Sequence, residues 1–246
     1  MKDNNRILSN DESNLMSINE LPKNNDQFLL NIIHDLRSYL NVITSAAQFM
    51  EHNTYKGDNN LKYIEIIKRN SFKMLKLINN LIDSNKIKNN YYKLNKKNID
   101  IVPMLENTIS CVEKFASERN IRLVFDTNEE ECIMAIDPEA IDRVVMNLLS
   151  NAIKFSNENS EIYINLLVKD KEIELSFKDE GCGISKEEKE RVFERFYQGK
   201  NNDNIEGSGI GLNLCMLFVK VHGGKLLLES EINKGSIFTV ILPRKI

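Results

Sequence analysis

The chain has 246 residues and a formal net charge of -3 at pH 7. This length is enough for one or two domains with a proper hydrophobic core, and the slightly acidic balance provides no basic surface for a polynucleotide. The four cysteines form no C-x-x-C or Cys/His pair, which argues against a zinc site or a disulfide framework.

No apolar run approaches membrane-spanning length, and the amino terminus lacks the pattern of a signal peptide. We therefore expect a cytoplasmic chain without a membrane segment. Its expected partners are nucleotides or proteins, and no nucleic acid.

The first half of the sequence predicts a helical hairpin. Residues 1–25 are polar and contain no aromatic residue, which predicts a mobile lead-in. We predict helices over about 28–50 and about 61–85, with a polar connection between them. Because one hairpin cannot cover its own apolar stripe from both sides, we expect two chains to pair into a four-helix bundle. The first helix carries apolar residues at alternating spacings of four and three, a heptad seam, at Leu29, Ile33, Leu36, Leu40, Ile43, Ala47 and Met50.

His34 follows a seam residue and is therefore expected beside the seam, exposed to solvent. Arg37 and Ser38 share its helical face because they are three and four residues away. An exposed imidazole can act as a nucleophile if another part of the protein delivers an electrophile. The alternative is a surface histidine on a coiled helix.

The periodicity changes after a polar stretch over 86–97, where we place the domain boundary. Asp137 and Pro138 predict a helix start, with an N-cap acid before proline at the first helical position. Antiparallel strands with helices segregated between them indicate an α+β sandwich. The predicted helices are 101–120, one from Asp137-Pro138 to about 155, a short charged one after Ser185, and 211–222; the predicted strands are 121–126, 132–136, 162–168, 172–178, 226–230 and 236–242.

Three polar residues recur at spacings of four and three on the helix after Pro138, namely Asn147, Asn151 and Lys154. We expect them opposite the apolar face of that helix. Amide oxygen is a hard ligand suited to Mg²⁺, and lysine binds phosphate as a point charge, so the stripe is typical of a site for a metal-bound polyphosphate. The alternative is a solvated helix face.

Two glycine-containing segments follow. The first is Asp179-Glu180-Gly181-Cys182-Gly183-Ile184, where a carboxylate at a strand end can accept a hydrogen bond from an exocyclic amine such as that of adenine. Its glycines let backbone approach a flat ring, although a plain turn has the same pattern. In the second segment Gly207, Gly209 and Gly211 open onto a helix, where backbone N–H groups can cradle phosphates. It is not a P-loop, because no Gly-Lys-Ser/Thr follows.

These segments occur in the order of the N, G1, F and G2 boxes, with Phe193-Glu194-Arg195-Phe196-Tyr197 as the F box, and His34-Asp35-Leu36-Arg37 resembles the H box. Over residues 26–246 the chain therefore resembles the transmitter core of sensor histidine kinases. The resemblance implies a dimerisation and phosphotransfer domain at 26–90 and a Bergerat-type (GHKL) α/β sandwich ATP-binding domain at 98–246. It also implies ATP and Mg²⁺ as cofactors, a homodimer, and the receiver domain of a response regulator as partner.

The resemblance implies a role for each matching residue. His34 would be the phosphate acceptor and Asp35 the general base that polarises its imidazole. Asn151 would ligate Mg²⁺, and a mobile ATP lid would span 198–206. The implied nucleotide-binding residues are Asn147, Asn151 and Lys154, then Asp179, Gly181 and Gly183 at the adenine, and Gly207, Gly209 and Gly211 over the phosphates.

Three positions depart from the family pattern. Tyr39 replaces a proline that kinks the helix, and Ser38 replaces the Thr or Asn linked to dephosphorylation of the partner, which puts phosphatase activity in question. Gln198 stands where an arginine often contacts phosphate, so either Arg195 or Lys200 substitutes or γ-phosphate handling is weaker. Two alternatives therefore stay open: a dimeric scaffold without catalysis, and a GHKL ATPase that forms no phosphohistidine.

Overall fold

The apolar periodicity of the first half produces two long helices in the computed structural model, which describes residues 23–52, 60–199 and 208–244. Helix α1 spans Lys23–His52 and helix α2 spans Asn60–Lys88. Both extend beyond the predicted bounds, because their flanking residues are mostly polar and carry no apolar periodicity, although they are compatible with a helix. The predicted lead-in lies almost entirely outside the described residues.

The chain divides into two compact units, one ending at Leu75 and the other beginning at Lys76. In the first unit Ile32 and Ala46 of α1 are buried, whereas Ile33 and Leu40 of the predicted seam are 49% and 54% exposed. The single chain thus buries positions adjacent to the predicted seam. An apolar face of the helix remains uncovered in one chain.

The second unit contains two sheets. The elements after α2 are β1 (Lys97–Asp100), α3 (Ile101–Ser117), β2 (Arg122–Thr127), β3 (Ile133–Ile136), α4 (Pro138–Phe155), β4 (Glu161–Val168), β5 (Glu172–Asp179), α5 (Gly211–Val221), β6 (Lys225–Glu231) and β7 (Gly235–Pro243). The larger sheet has the strand order β2-β4-β5-β7-β6, and β1 pairs with β3 in a separate antiparallel ribbon. The prediction of antiparallel strands is wrong for β2 and β4, which are parallel because the connection between them includes β3 and a helix.

The core lies between one face of the large sheet and the helices α3, α4 and α5. Alternate residues of β4, β5 and β7 are buried, as expected for a sheet with one covered face. The predicted α+β fold class is confirmed. The short charged helix predicted after Ser185 is wrong, since turns and the 3₁₀ helix Arg191–Phe193 occur there and the charged sequence offers no apolar face to stabilise a longer helix.

Helix α4 begins at a buried junction between distant segments. Asp137 Oδ1 accepts a hydrogen bond from Ala140 N (3.2 Å), and Oδ2 accepts one from Asn95 N (3.0 Å). The backbone N–H of Asp137 donates to His222 Nε2 (3.1 Å), while His222 Nδ1 lies 2.7 Å from Phe218 O. Because a carbonyl only accepts, Nδ1 carries the proton and the imidazole is neutral. His222 therefore has a structural part in this fold.

We expect acidification to weaken the fold through His222. Burial lowers the pKa of His222 below its usual value of 6.5, and the hydrogen bond to Phe218 O opposes that change. Since the folded pKa is below the unfolded one, the stabilisation is full above about pH 6.5 and is lost as the pH falls through the folded value. Between about pH 7.5 and about pH 5.5, the urea concentration at the unfolding midpoint should change less in His222→Gln than in the wild type. The glutamine amide can form both hydrogen bonds, to Asp137 N and Phe218 O, and it does not titrate. Equal acid shifts in the two proteins would contradict this prediction.

Candidate functional site

Helix α4 presents the three predicted polar residues in different surroundings. Asn151 and Lys154 are half-buried, and Lys154 Nζ lies 4.9 Å from the centroid of the Phe155 ring. Asn147 is buried instead, so the prediction that all three lie opposite the apolar face is wrong for this residue. Asn147 Oδ1 lies 3.5 Å from the position that a Cβ on Gly211 would occupy. Asn147 therefore joins α4 to the start of α5.

Asp179 ends β5 as a buried carboxylate, with 5% of its surface exposed. Its Oδ1 accepts hydrogen bonds from Gly181 N (2.9 Å) and Ser236 N (3.2 Å). Among the residues that the structure describes, no group donates to Oδ2. Burial raises the pKa of Asp179, and the two backbone N–H donors oppose that rise. One oxygen is thus held by the protein and the other is available to an amine of a ligand.

Gly181 is required where the end of α4 meets the end of β5. A Cβ on this residue would lie 2.4 Å from Phe155 O and 2.9 Å from Asp179 Oδ1. A bridge between Ser156 and Gly181 ties the two segments together. The N and G1 boxes are therefore adjacent. Gly183 packs elsewhere, against the carbonyl of Glu231, where a Cβ would come within 2.0 Å of the oxygen.

Gly209 packs against the F box. Its φ of +63° is a conformation that L side chains rarely adopt, and a Cβ would lie 2.6 Å from the backbone of Phe196. The N–H of Phe196 donates to Gly209 O (2.8 Å). The F and G2 boxes are thus joined through backbone, and Gly211 follows as the first residue of α5. Gly207, Lys200 and most of the predicted lid lie outside the described residues.

The donor set fits Mg²⁺ only if a polyphosphate supplies further ligands. Within 23–52, 60–199 and 208–244 no cluster of three His, Cys, Asp or Glu residues could hold a metal ion. Mg²⁺ keeps several waters and is commonly bound by one or two protein oxygens together with substrate phosphates. Asn151 can supply one such protein oxygen, because its amide is half-buried on α4. The same helix approaches the start of α5 at Asn147.

His34 lies in the first compact unit, and its side chain is 84% exposed. Its Nδ1 is 3.8 Å from Asp35 Oδ1. Partial burial raises the pKa of Asp35 above its usual value, and the neighbouring imidazole opposes that rise. An accessible imidazole beside a carboxylate is suited to nucleophilic attack, with the carboxylate placed to polarise the ring.

Sequence reasoning missed several residues that shape this site. Ser236 supplies a backbone donor to Asp179, and nothing in its local sequence indicates this. Asn213 Nδ2 donates to Phe193 O (2.8 Å) and so ties α5 to the F box. Arg195 was one of two alternatives, with Lys200, for a phosphate contact, and its Nη2 and Nη1 donate to Ser84 Oγ and Asn85 Oδ1 of α2. The spacing of these residues in the chain gave no signal for such contacts.

Two family models match this chain. Residues 24–90 match the model described as His Kinase A (phospho-acceptor) domain, HisKA. Residues 136–246 match the model described as Histidine kinase-, DNA gyrase B-, and HSP90-like ATPase, HATPase_c. Within the described part of the chain, every helix is too short or too polar to cross a membrane.

The chain is also similar to named histidine kinases. The sensor histidine kinase WalK of Bacillus subtilis is 28% identical over 224 residues, covering 89% of this chain and 36% of WalK. Histidine kinase P4 of Formosa agariphila is 31% identical over 224 residues, covering 88% of this chain and 16% of that protein. The solved structure of histidine kinase ThkA with the response regulator TrrA has a TM-score of 0.65 at 20% identity, covering 96% of this chain and 64% of ThkA. That likeness concerns the fold, and this chain spans about a third or less of the two relatives.

Proposed function

Since this chain carries the transmitter core of sensor histidine kinases, a HisKA domain followed by a HATPase_c domain, we propose that it is an ATP-dependent protein-histidine kinase. It phosphorylates its own His34 and passes the phosphoryl group to an aspartate of a response regulator. The observation that carries this proposal is the exposure of His34 beside Asp35 in a chain that also presents a buried carboxylate with one open oxygen at Asp179.

In the proposed reaction a ring nitrogen of His34 forms a bond to the γ-phosphorus of ATP while the bond to the ADP oxygen breaks. Phosphoryl transfer depends mostly on positioning and on electrostatic stabilisation, so the chain must hold the nucleotide in line with that nitrogen. Asp35 stabilises the imidazole as it becomes cationic. Asn151 would hold Mg²⁺, and the bound ion would neutralise charge on the phosphates. Backbone N–H groups at the start of α5 bind the phosphates.

The proposed domains are a dimerisation and phosphotransfer domain at 26–90 and an ATP-binding domain at 98–246. A homodimer is supported by the uncovered apolar residues of α1, including Ile33 and Leu40, which a second chain can bury. The receiver-domain partner is supported by the complex of ThkA with TrrA. Use of ATP and an aspartate acceptor favours the cytoplasmic location expected from the sequence.

The test of this function is labelling with γ-labelled ATP. A histidine kinase gives a labelled protein whose phosphoryl group is lost in acid and retained in alkali, and which transfers it to a receiver domain. Release of inorganic phosphate without a labelled protein would instead support the GHKL ATPase alternative. Binding of ATP with neither product would support the scaffold.

Asp179→Asn is expected to lower the affinity for ATP roughly ten- to hundredfold, because a hydrogen bond to a charged acceptor is worth about 1.5–3 kcal/mol. In the variant, the amide oxygen can still accept the hydrogen bonds from Gly181 N and Ser236 N. The amide NH₂ then faces the adenine amine, and two donors cannot form a hydrogen bond with each other. Titration of a fluorescent ATP analogue measures the change. Asp170→Asn, in the exposed turn between β4 and β5, is the matched control. Equal affinities in the two variants would remove Asp179 from adenine recognition.

A further inference from the structure

Arg119, in the turn between α3 and β2, binds the carboxy-terminal end of α4. Its Nη1 donates to Ile153 O and to Lys154 O (3.0 Å), and its Nη2 donates to Ser156 O (3.1 Å). The side chain of Arg119 is half-buried, so water competes less for these bonds than it would at the surface. One side chain from a distant turn therefore holds three backbone carbonyls at the end of the helix that carries Asn151.

These carbonyls are the ones that the helix itself leaves without partners. The last four carbonyls of an α-helix have no N–H partner within the helix. In α4 the last carbonyl with such a partner is that of Ala152, which accepts from Ser156 N (3.0 Å). Of the four carbonyls beyond it, at 153–156, Arg119 binds three. Arg119 thus completes the C-cap of α4.

This helix end is electrostatically unfavourable for an anionic ligand. The carboxy terminus of a helix carries about half a negative elementary charge, and the amino terminus carries the positive counterpart. The proposed phosphate site uses one end of each kind, because Lys154 lies in the last turn of α4 and Gly211 is the first residue of α5. The end at α5 attracts phosphates, whereas the end at α4 needs added positive charge to accept them.

Arg119 supplies such charge directly at the carbonyls. A hydrogen bond from an ionised donor is roughly twice as strong as one between neutral groups, and the guanidinium stays protonated at every pH at which proteins fold. The bond to Lys154 O also fixes the backbone of the lysine proposed to bind phosphate. Since its Nη atoms are occupied by carbonyls, Arg119 acts on a ligand only through α4.

We infer that Arg119 is a positioning residue for nucleotide binding: by capping α4 and compensating the negative charge of its carbonyls, it enables this helix end to hold the phosphates of a nucleotide. The inference rests on the proposed ATP-dependent function and deepens it. It also makes a specific demand, because the contribution of Arg119 should grow with the number of phosphates on the ligand.

Arg119→Met removes the charge and the donors while keeping an unbranched side chain. The dissociation constant for ATP with Mg²⁺ should rise roughly five- to thirtyfold, that for ADP should rise less, and that for adenosine should change less than about twofold. Displacement of a fluorescent ATP analogue measures all three. Arg122→Met is the matched control, since it removes the same charge from an exposed arginine that pairs with Glu161. It should bind each ligand like the wild type.

Arg119→Lys separates charge from fold. It keeps a cation but cannot reproduce the fork of the guanidinium, so its thermal midpoint should fall while its ATP affinity stays within about threefold of the wild type. If Arg119→Met does not fold, the ratio of ATP to ADP affinity in Arg119→Gln, which keeps an amide donor without the charge, decides in the same way.

Two results would overturn the inference. Equal losses for ATP, ADP and adenosine would show that Arg119 serves only the fold, and an ATP affinity matching that of Arg122→Met would show that the cap does not affect the site. Failure of the wild type to bind ATP would contradict the proposed function instead. Binding by the wild type that is insensitive to Arg119 would contradict this inference alone.

Discussion

Replacing His34 with glutamine is expected to reduce labelling by γ-labelled ATP by roughly 10³-fold or more, because the amide nitrogen has no lone pair available for attack on phosphorus. The side chain is 84% exposed, so the substitution removes no packing. Affinity for ATP should be unchanged, since Asn151 and Asp179 belong to the other compact unit. The measurement is the initial rate of acid-labile labelling together with the dissociation constant of a fluorescent ATP analogue.

His52→Gln is the matched control, as it makes the same change at the end of the same helix. It should retain full labelling. If His34→Gln were still labelled at the rate of the control, His34 would not be the acceptor. If both variants lost ATP binding as well, the loss of label would reflect damage to the fold.

The helix positions were predictable because their signals are local. The apolar periodicity of α1 and α2 and the Asp137-Pro138 start of α4 depend on residues within one or two turns of each other. The structure bears this out: Asp137 caps α4 through Ala140 N, with Pro138 in the first turn. The ends of these helices were less accurate than their positions, since α1 begins at Lys23 and not at about residue 28, and α2 ends at Lys88 and not at about residue 85.

Pairings between distant segments were less accessible from sequence. The parallel β2–β4 pair depends on the path of the intervening chain, and neither the apolar run of β2 nor the alternation of β4 encodes the direction of the partner strand. Burial of Asn147 likewise depends on α5, which packs against α4, since a helical pattern shows the spacing of polar residues and not what covers them. The side chains of Ser84 and Arg195 meet across 111 residues of sequence, and no local pattern encodes that contact.

At the candidate site, sequence indicated the residue types better than their contacts. Asp179 and Gly181 could be identified because their segment stands in the order of the family's boxes, whereas a carboxylate and a glycine at a strand end also occur in plain turns. The sequence did not indicate that the two oxygens of Asp179 differ. The structure shows that Oδ1 accepts hydrogen bonds from Gly181 N and Ser236 N, which leaves Oδ2 for a ligand. Arg195 was weighed together with Lys200 for a phosphate contact, and its local sequence gave no sign of the hydrogen bonds that it makes to α2.

Asn151→Ala is expected to lower Mg²⁺-dependent labelling of His34 by roughly 10²–10³-fold, because it removes the side-chain oxygen proposed to hold the ion against the phosphates. Asn151 is half-buried on α4, whose buried side is formed by other residues, so the fold should be retained. The measurement is the labelling rate as a function of Mg²⁺ concentration at fixed ATP. The concentration needed for half the maximal rate should rise along with the loss of rate.

Two further variants separate the metal role from a general effect on α4. Asn151→Asp retains an oxygen ligand and should keep a larger share of the rate than Asn151→Ala, since Mg²⁺ accepts carboxylate as well as amide oxygen. Asn165→Ala, on the exposed side of β4, removes the same group away from the site and should match the wild type. A rate for Asn151→Ala equal to that of Asn165→Ala would refute the metal role. Equal losses in Asn151→Ala and Asn151→Asp with an unchanged Mg²⁺ requirement would instead show that the amide positions the nucleotide directly.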